Sequence, residues 1–352
     1  MSADYSEKIL TVKDLEVQFN LRGQVLTAIR GISLDIYKGE SLAIVGESGS
    51  GKSVFTKTFM GMLDKNGKVT KGEILYKGMD LAKFSSEKDW LKIRGKEVAM
   101  VFQDPMTSLN PLKTVGKQIQ EALELHQNLH GRAAREKTIE ILSDVGISEP
   151  ERRYKQYPHE FSGGMRQRAV IATAIACNPN ILICDEPTTA LDVTIQAQII
   201  ELLEQLQKKY RLTIIYITHD LGVVAKVADR IAVMYAGDII EIGLCNEIFY
   251  NPQHPYTWAL LSSLPQLGIK GEPLYSIHGT PPNLFKEIKG DAFAPRNPRA
   301  LNIDYVIRPP YFEVSPTHYA KTWLLDPRSP KIDPPAIIQR LRDRWKEANP
   351  NE

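Results

Sequence analysis

The chain has 352 residues, enough for one large domain with an appendage or for two modest domains. Lys and Arg total 44 against 42 for Asp and Glu, and the resulting net charge of +2 carries no nucleic-acid signature. No apolar run approaches the roughly 18–20 residues that cross a bilayer, and Cys177, Cys184 and Cys245 have neither metal-type spacing nor the makings of a disulfide framework.

The opening Met1-Ser-Ala-Asp-Tyr-Ser-Glu-Lys8 lacks the basic-then-apolar build of a signal peptide, so a cytosolic chain is expected, reaching a membrane only through a partner. Residues 9–19 and 72–76 predict an antiparallel strand edge, in which Phe19 either stacks on an adenine or belongs to the core. The run Ser41-Leu-Ala-Ile-Val45 predicts a strand buried on both faces of a parallel sheet. It leads into Gly46-Glu47-Ser48-Gly49-Ser50-Gly51-Lys52-Ser53, a complete phosphate loop between strand and helix. Its glycines let successive N–H groups face phosphates, Lys52 would reach the β- and γ-phosphates, and the Ser53 hydroxyl would ligate Mg²⁺. Gln103, in Val101-Phe-Gln-Asp-Pro105, either reaches Mg²⁺ or the attacking water at the entrance to a helical lobe or is a plain surface glutamine.

Residues 112–145 predict helices broken near His130-Gly131 and ended by Gly146, within a helical lobe spanning about 104–178. That lobe carries Phe161-Ser162-Gly163-Gly164-Met165-Arg166-Gln167, a serine cap and two glycines opening a helix at 165–177. One γ-phosphate needs one cradle, so this second phosphate-facing turn is expected to serve a nucleotide held by another subunit. Ile181-Leu-Ile-Cys184 predicts another buried strand ending at Asp185 and Glu186. Asp185 would meet Mg²⁺ directly or through its outer shell, and Glu186 would act as general base on water. Residues 193–209 predict an amphipathic helix, and Thr213-Ile-Ile-Tyr-Ile-Thr218 a strand ending at His219, a donor to a γ-phosphate. Gly46, Asp185 and His219 would then converge beyond the carboxyl ends of the strands. After residue 251 prolines crowd the sequence, and 251–352 reads as an irregular C-terminal extension.

Taken together, Gly46–Ser53, Gln103, Ser162–Gln167, Ile181–Glu186, Ala190-Leu-Asp192 and His219 resemble the ATP-binding-cassette ATPases, matching in order their Walker A, Q-loop, signature, Walker B, D-loop and switch histidine. The resemblance covers about residues 8–250, with Phe161 and Met165 where Leu and Gln are commoner in the signature. It implies an α/β P-loop NTPase fold with a mostly parallel core sheet, an antiparallel edge and a helical subdomain. It also implies two cassettes packed head to tail, each ATP lying between one Walker A and the opposing signature. Asn251-Pro-Gln-His-Pro-Tyr-Thr-Trp-Ala-Leu-Leu261, Gly279-Thr-Pro-Pro-Asn283 and Ala292-Phe-Ala-Pro-Arg296 resemble the C-terminal region of oligopeptide and dipeptide importer ATPases.

Within that family the chain looks like the D-type subunit. The implied partners are a paralogous F-type ATPase subunit, two transmembrane permeases and an extracellular peptide-binding protein, at the cytoplasmic face of the cell membrane; no nucleic acid is expected. The implied cofactors are ATP and Mg²⁺. Many relatives hold an iron–sulfur cluster by cysteines near the Phe-Ala-Pro-Arg segment, but Asp291 and Asn297 stand at those places and no cysteine follows Cys245, so no cluster is expected. Nickel importers share the cassette motifs. Soluble relatives acting on nucleic acid or ribosomes would need long coiled coils or a second cassette, neither of which the chain contains.

Overall fold

A computed structural model describes residues 4–189, 191–264, 267 and 276–349. Among them the strands are, in chain order, β1 (Asp4–Leu21), β2 (Gln24–Lys38), β3 (Ser41–Val45), β4 (Gly67–Tyr76), β5 (Met79–Asp80), β6 (Val98–Val101), β7 (Ile181–Asp185), β8 (Thr213–Ile217), β9 (Arg230–Tyr235), β10 (Asp238–Leu244), β11 (Phe312–Ser315) and β12 (His318–Ala320). They form two sheets, a four-stranded antiparallel one ordered β2-β1-β4-β5 and an eight-stranded one ordered β11-β12-β10-β9-β3-β8-β7-β6. The early strands pair antiparallel, as the sequence suggests, in a sheet separate from the eight-stranded one. β1–β2 and β4–β5 are local hairpins and β1 pairs antiparallel with the more distant β4, so these strands satisfy one another without joining the parallel ladder.

The central strands β6, β7, β8, β3 and β9 run parallel, and their apolar continuity follows from burial on both faces. Alternation divides them between two cores. Ala43, Val45, Ala99, Val101, Leu182 and Cys184 face the helical side, against Ile171 and Ile175 of the helix Gly163–Ile175 and Leu203 of the helix Val193–Tyr210. Leu42, Ile44, Val98, Met100, Ile181 and Ile183 face the antiparallel sheet and Phe55 and Phe59. At roughly 25 cal/mol per Å² of apolar surface, these two buried layers are the main force fixing the sheet.

The helical lobe contains helices Val115–Gln127 and Gly131–Asp144, broken where Asn128 adopts a left-handed conformation (φ 58°). The segment after 251 holds more regular structure than its prolines suggest. Helix Pro255–Ser262 carries Pro255 at its first turn, where no N–H is needed, and β12 pairs antiparallel with β10, with β11 outside it. The closing helix Ala336–Ala348 lays Trp345 on Tyr250, ring centroids 4.4 Å apart. None of the described helices is long and apolar enough to cross a membrane.

Candidate nucleotide site and its second turn

The phosphate loop leaves the end of β3 and enters the helix Lys52–Lys57. Gly46 has φ 151°, and a Cβ there would lie 2.1 Å from the Met234 carbonyl oxygen, so only glycine fits. Gly46 and Ser50 are buried, whereas Ser48 and Gly49 are exposed at the loop crest. Ser48, Gly49, Gly51, Lys52 and Ser53 line a cleft of about 800 Å³ together with Phe19, Gln103, Asp185, Glu186 and His219. Strand order thus gathers into one crevice groups separated by up to two hundred positions.

Lys52 donates to the carbonyls of Gly46 (2.8 Å) and Glu47 (2.9 Å). Burial lowers its pKa, opposed by the carboxylates of Glu186, Asp185 and Glu47. Ser53 Oγ donates to Asp185 Oδ1 at 3.1 Å. Burial raises the Asp185 carboxyl above its ordinary range; the Ser53 bond opposes this, and the Glu186 charge adds to it. A hydroxyl and a partly desolvated carboxylate side by side suit a hard, oxygen-loving cation, which would relieve the strain of that buried charge. Ser53 and Asp185 therefore fit a Mg²⁺ accompanying the nucleotide, with Gln103 lining the same cleft.

Glu186 stands just beyond β7, its N–H donating to the Ile217 carbonyl at 2.8 Å. One carboxylate oxygen meets His219 Nδ1 at 3.1 Å, and the other accepts from Gln103 Nε2 (2.8 Å) and Thr189 Oγ1 (2.9 Å). Glu186, His219 and Gln103 are thus one hydrogen-bonded group. Thr189 has no signal in the sequence beyond its place three residues after Glu186. Phe19 is 8% exposed, lines the cleft and lies against Gly67, where a Cβ would come within 2.4 Å of its ring; it serves core and cleft together. Leu284, from the C-terminal segment, also lines the cleft, its carbonyl accepting from the Thr27 N–H at 3.2 Å.

Ser162, Gly163, Gly164, Gln167 and Asp192 line no part of this cleft. Ser162 caps the helix Gly163–Ile175, accepting from the Met165 N–H at 3.3 Å, and it and Gly163 are exposed. Gln167, on the same helix, is buried at 1% exposure. Asp192 caps the helix Val193–Tyr210 through the Ile195 N–H (3.0 Å); Ala190 lies outside the described residues.

The cysteines do not fit an iron–sulfur cluster. Burial pushes the Cys177 and Cys245 thiols up to about 11 and Cys184 higher still, as for packed thiols, and three cysteines are one short of a four-thiolate set. Asp291 instead accepts from the Phe293 N–H and Asn297 from the Arg299 N–H, both at 2.9 Å, so each ties a turn. Among the described residues no group of three or more His, Cys, Asp or Glu stands ready to hold a metal.

This loop, cleft and second turn define an ATP-binding-cassette ATPase, and comparison with known proteins agrees. Residues 29–189 match the ABC transporter family, and residues 240–303 match the C-terminal region of oligopeptide/dipeptide transporters. The chain is 58% identical to the oligopeptide transport ATP-binding protein AmiE of Streptococcus pneumoniae, covering 96% of each. It is 56% identical to the dipeptide transport ATP-binding protein DppD of Lactococcus lactis subsp. cremoris, covering 97% of this chain and 98% of that one. Among solved structures it resembles the dimeric post-hydrolysis state of the cassette MJ0796 bound to ADP and Pi, with TM-score 0.60 and 28% identity over 67% of this chain and 98% of that one. The chain belongs to the ABC transporter ATPases, in the group that carries the oligopeptide/dipeptide transporter C-terminal region.

Proposed function

We propose that the chain is the ATP-hydrolysing subunit of an importer for oligopeptides or dipeptides. The observation that carries this reading is the single hydrogen-bonded cleft of Gln103, Glu186 and His219 beside the phosphate loop, in a chain matching peptide-transport ATPases over nearly its whole length. The loop N–H groups and the start of the helix Lys52–Lys57 would hold the triphosphate, with Phe19 beside the base and Lys52 turning from its carbonyls to the β- and γ-phosphates. Bound Mg²⁺, held by Ser53 with Asp185 and Gln103, would supply charge neutralisation of the β- and γ-oxygens. Glu186 takes a proton from the attacking water, and His219 and Gln103 hold its carboxylate in line.

A second cassette completes the site: Ser162, Gly163 and Gly164 offer N–H groups to that subunit's nucleotide, with Gln167 in the same signature segment, and Asp192 lies at the same interface. That second cassette is proposed to be a paralogous F-type subunit. Both sit beneath two permeases that convert closure and reopening into alternating access, which makes this chain a peripheral protein of the cytoplasmic membrane face. No iron–sulfur cluster takes part. The test is reconstitution with the permeases, the second cassette and the external binding protein in vesicles. ATP-dependent entry of labelled peptides is expected; entry of nickel instead, or none of peptide while ATP is hydrolysed, overturns the substrate assignment.

A further inference from the structure

Glu47, the residue after Gly46 in the phosphate loop, is gripped from the C-terminal segment through both main chain and side chain. Its N–H donates to Tyr256 Oη at 2.8 Å. Its carboxylate accepts a fork of two bonds from Arg296, Nη1 at 2.7 Å and Nη2 at 3.0 Å, across 249 positions of sequence. Its carbonyl meanwhile accepts from Lys52 Nζ at 2.9 Å. Arg296 is itself fixed, with Nε donating to the His278 carbonyl (3.0 Å), Nη1 also reaching Tyr235 Oη (3.1 Å), and a side chain only 5% exposed. A planar guanidinium held on several sides supports a carboxylate in one geometry, which a lysine would not do.

The pair matters electrically as well as mechanically. Glu47 places a negative charge on the loop whose N–H groups face phosphates, and an uncompensated carboxylate there repels a triphosphate. Arg296 cancels that charge without touching the nucleotide cleft, which it does not line. We propose that Arg296 is a positioning residue of the ATP site: through Glu47 it holds the phosphate loop and neutralises its carboxylate, so that the C-terminal segment sets the affinity for ATP. This rests on reading the cleft as the ATP site.

The test measures MgATP affinity of the full chain, and KM and kcat for ATP in the assembled transporter, for Arg296→Gln, Arg296→Lys, Glu47→Gln and the double variant Glu47→Gln/Arg296→Gln. Arg296→Gln should weaken ATP binding and raise KM roughly tenfold, with kcat at saturating ATP within about twofold. The double variant should recover to within about threefold of wild type, because the stranded charge has gone. Arg296→Lys should fall between, restoring charge without the fork. A folded Arg296→Gln chain with wild-type affinity overturns the proposal, as does a double variant no better than Arg296→Gln, the mark of a plain structural staple. If Arg296→Gln does not fold, Arg296→Lys decides: unchanged affinity there is also fatal. Absent MgATP binding by the wild-type chain would instead sink the reading of the cleft.

Discussion

Glu186 holds a left-handed backbone conformation, φ 48°, which costs a non-glycine residue on the order of 1 kcal/mol or more. The bond from its N–H to the Ile217 carbonyl and three side-chain partners hold it there, so the strain aims one carboxylate into the cleft. The same geometry shows why Glu186→Gln is a clean test. The remaining amide oxygen can accept from Gln103 and Thr189, and the new NH₂ can donate to a neutral His219 ring, so the fold should persist. Only the carboxylate is removed. Single-turnover hydrolysis should slow by about 10²–10⁴ while MgATP still binds, leaving the cassette pair closed with ATP inside. Hydrolysis at the wild-type rate would assign the base elsewhere.

Two glycine-bearing turns open helices, but only one belongs to this chain's own cleft. Gly163 makes the distinction testable. A Cβ at that position would meet nothing closer than Leu191 Cδ2 at 3.9 Å, and the residue is exposed without a positive φ, so the fold itself does not require glycine. Gly164 is tighter, since a Cβ there would press Ile195 at 2.9 Å. Gly163→Asp should therefore leave the isolated chain folded and binding MgATP within about twofold. In the transporter the new carboxylate would face a second nucleotide, and ATPase activity should fall at least about tenfold through like-charge repulsion. Lost ATP binding in a folded, isolated variant would mean the turn acts in its own chain. The strands that end at Gly46, Asp185 and His219 were legible because a strand buried on both faces is continuously apolar and stops where the chain turns polar. Thr189, Leu284 and the Arg296–Glu47 fork were not, since each depends on a partner brought near only by folding.

The change in composition after residue 251 suggests two units, yet the eight-stranded sheet runs across it. β12 pairs with β10 at Glu241–Ala320 and Ile242–Tyr319. Glu241, fully buried, accepts from His318 Nε2 at 2.8 Å and from the N–H groups of Gln253 (2.6 Å) and His254 (3.0 Å), all beyond that point. Asp238, 3% exposed, is matched by Lys321 (2.7 Å) and Arg308 (3.1 Å) from the same segment. A chain ending at Asn251 would lose every one of these partners, leaving two carboxylates designed for burial and β10 as an uncovered edge. Stranding even one buried charge costs about 3–5 kcal/mol, a large share of the ~5–15 kcal/mol that holds a domain folded, and partial rehydration returns only some of it. An open apolar edge strand adds a route to aggregation. The truncated chain should therefore be largely insoluble, or unfold well below the full chain in thermal denaturation with MgATP absent. A soluble 1–251 fragment with an unchanged, cooperative transition would make the C-terminal segment an appendage, and would also remove the mechanical basis for its grip on the phosphate loop.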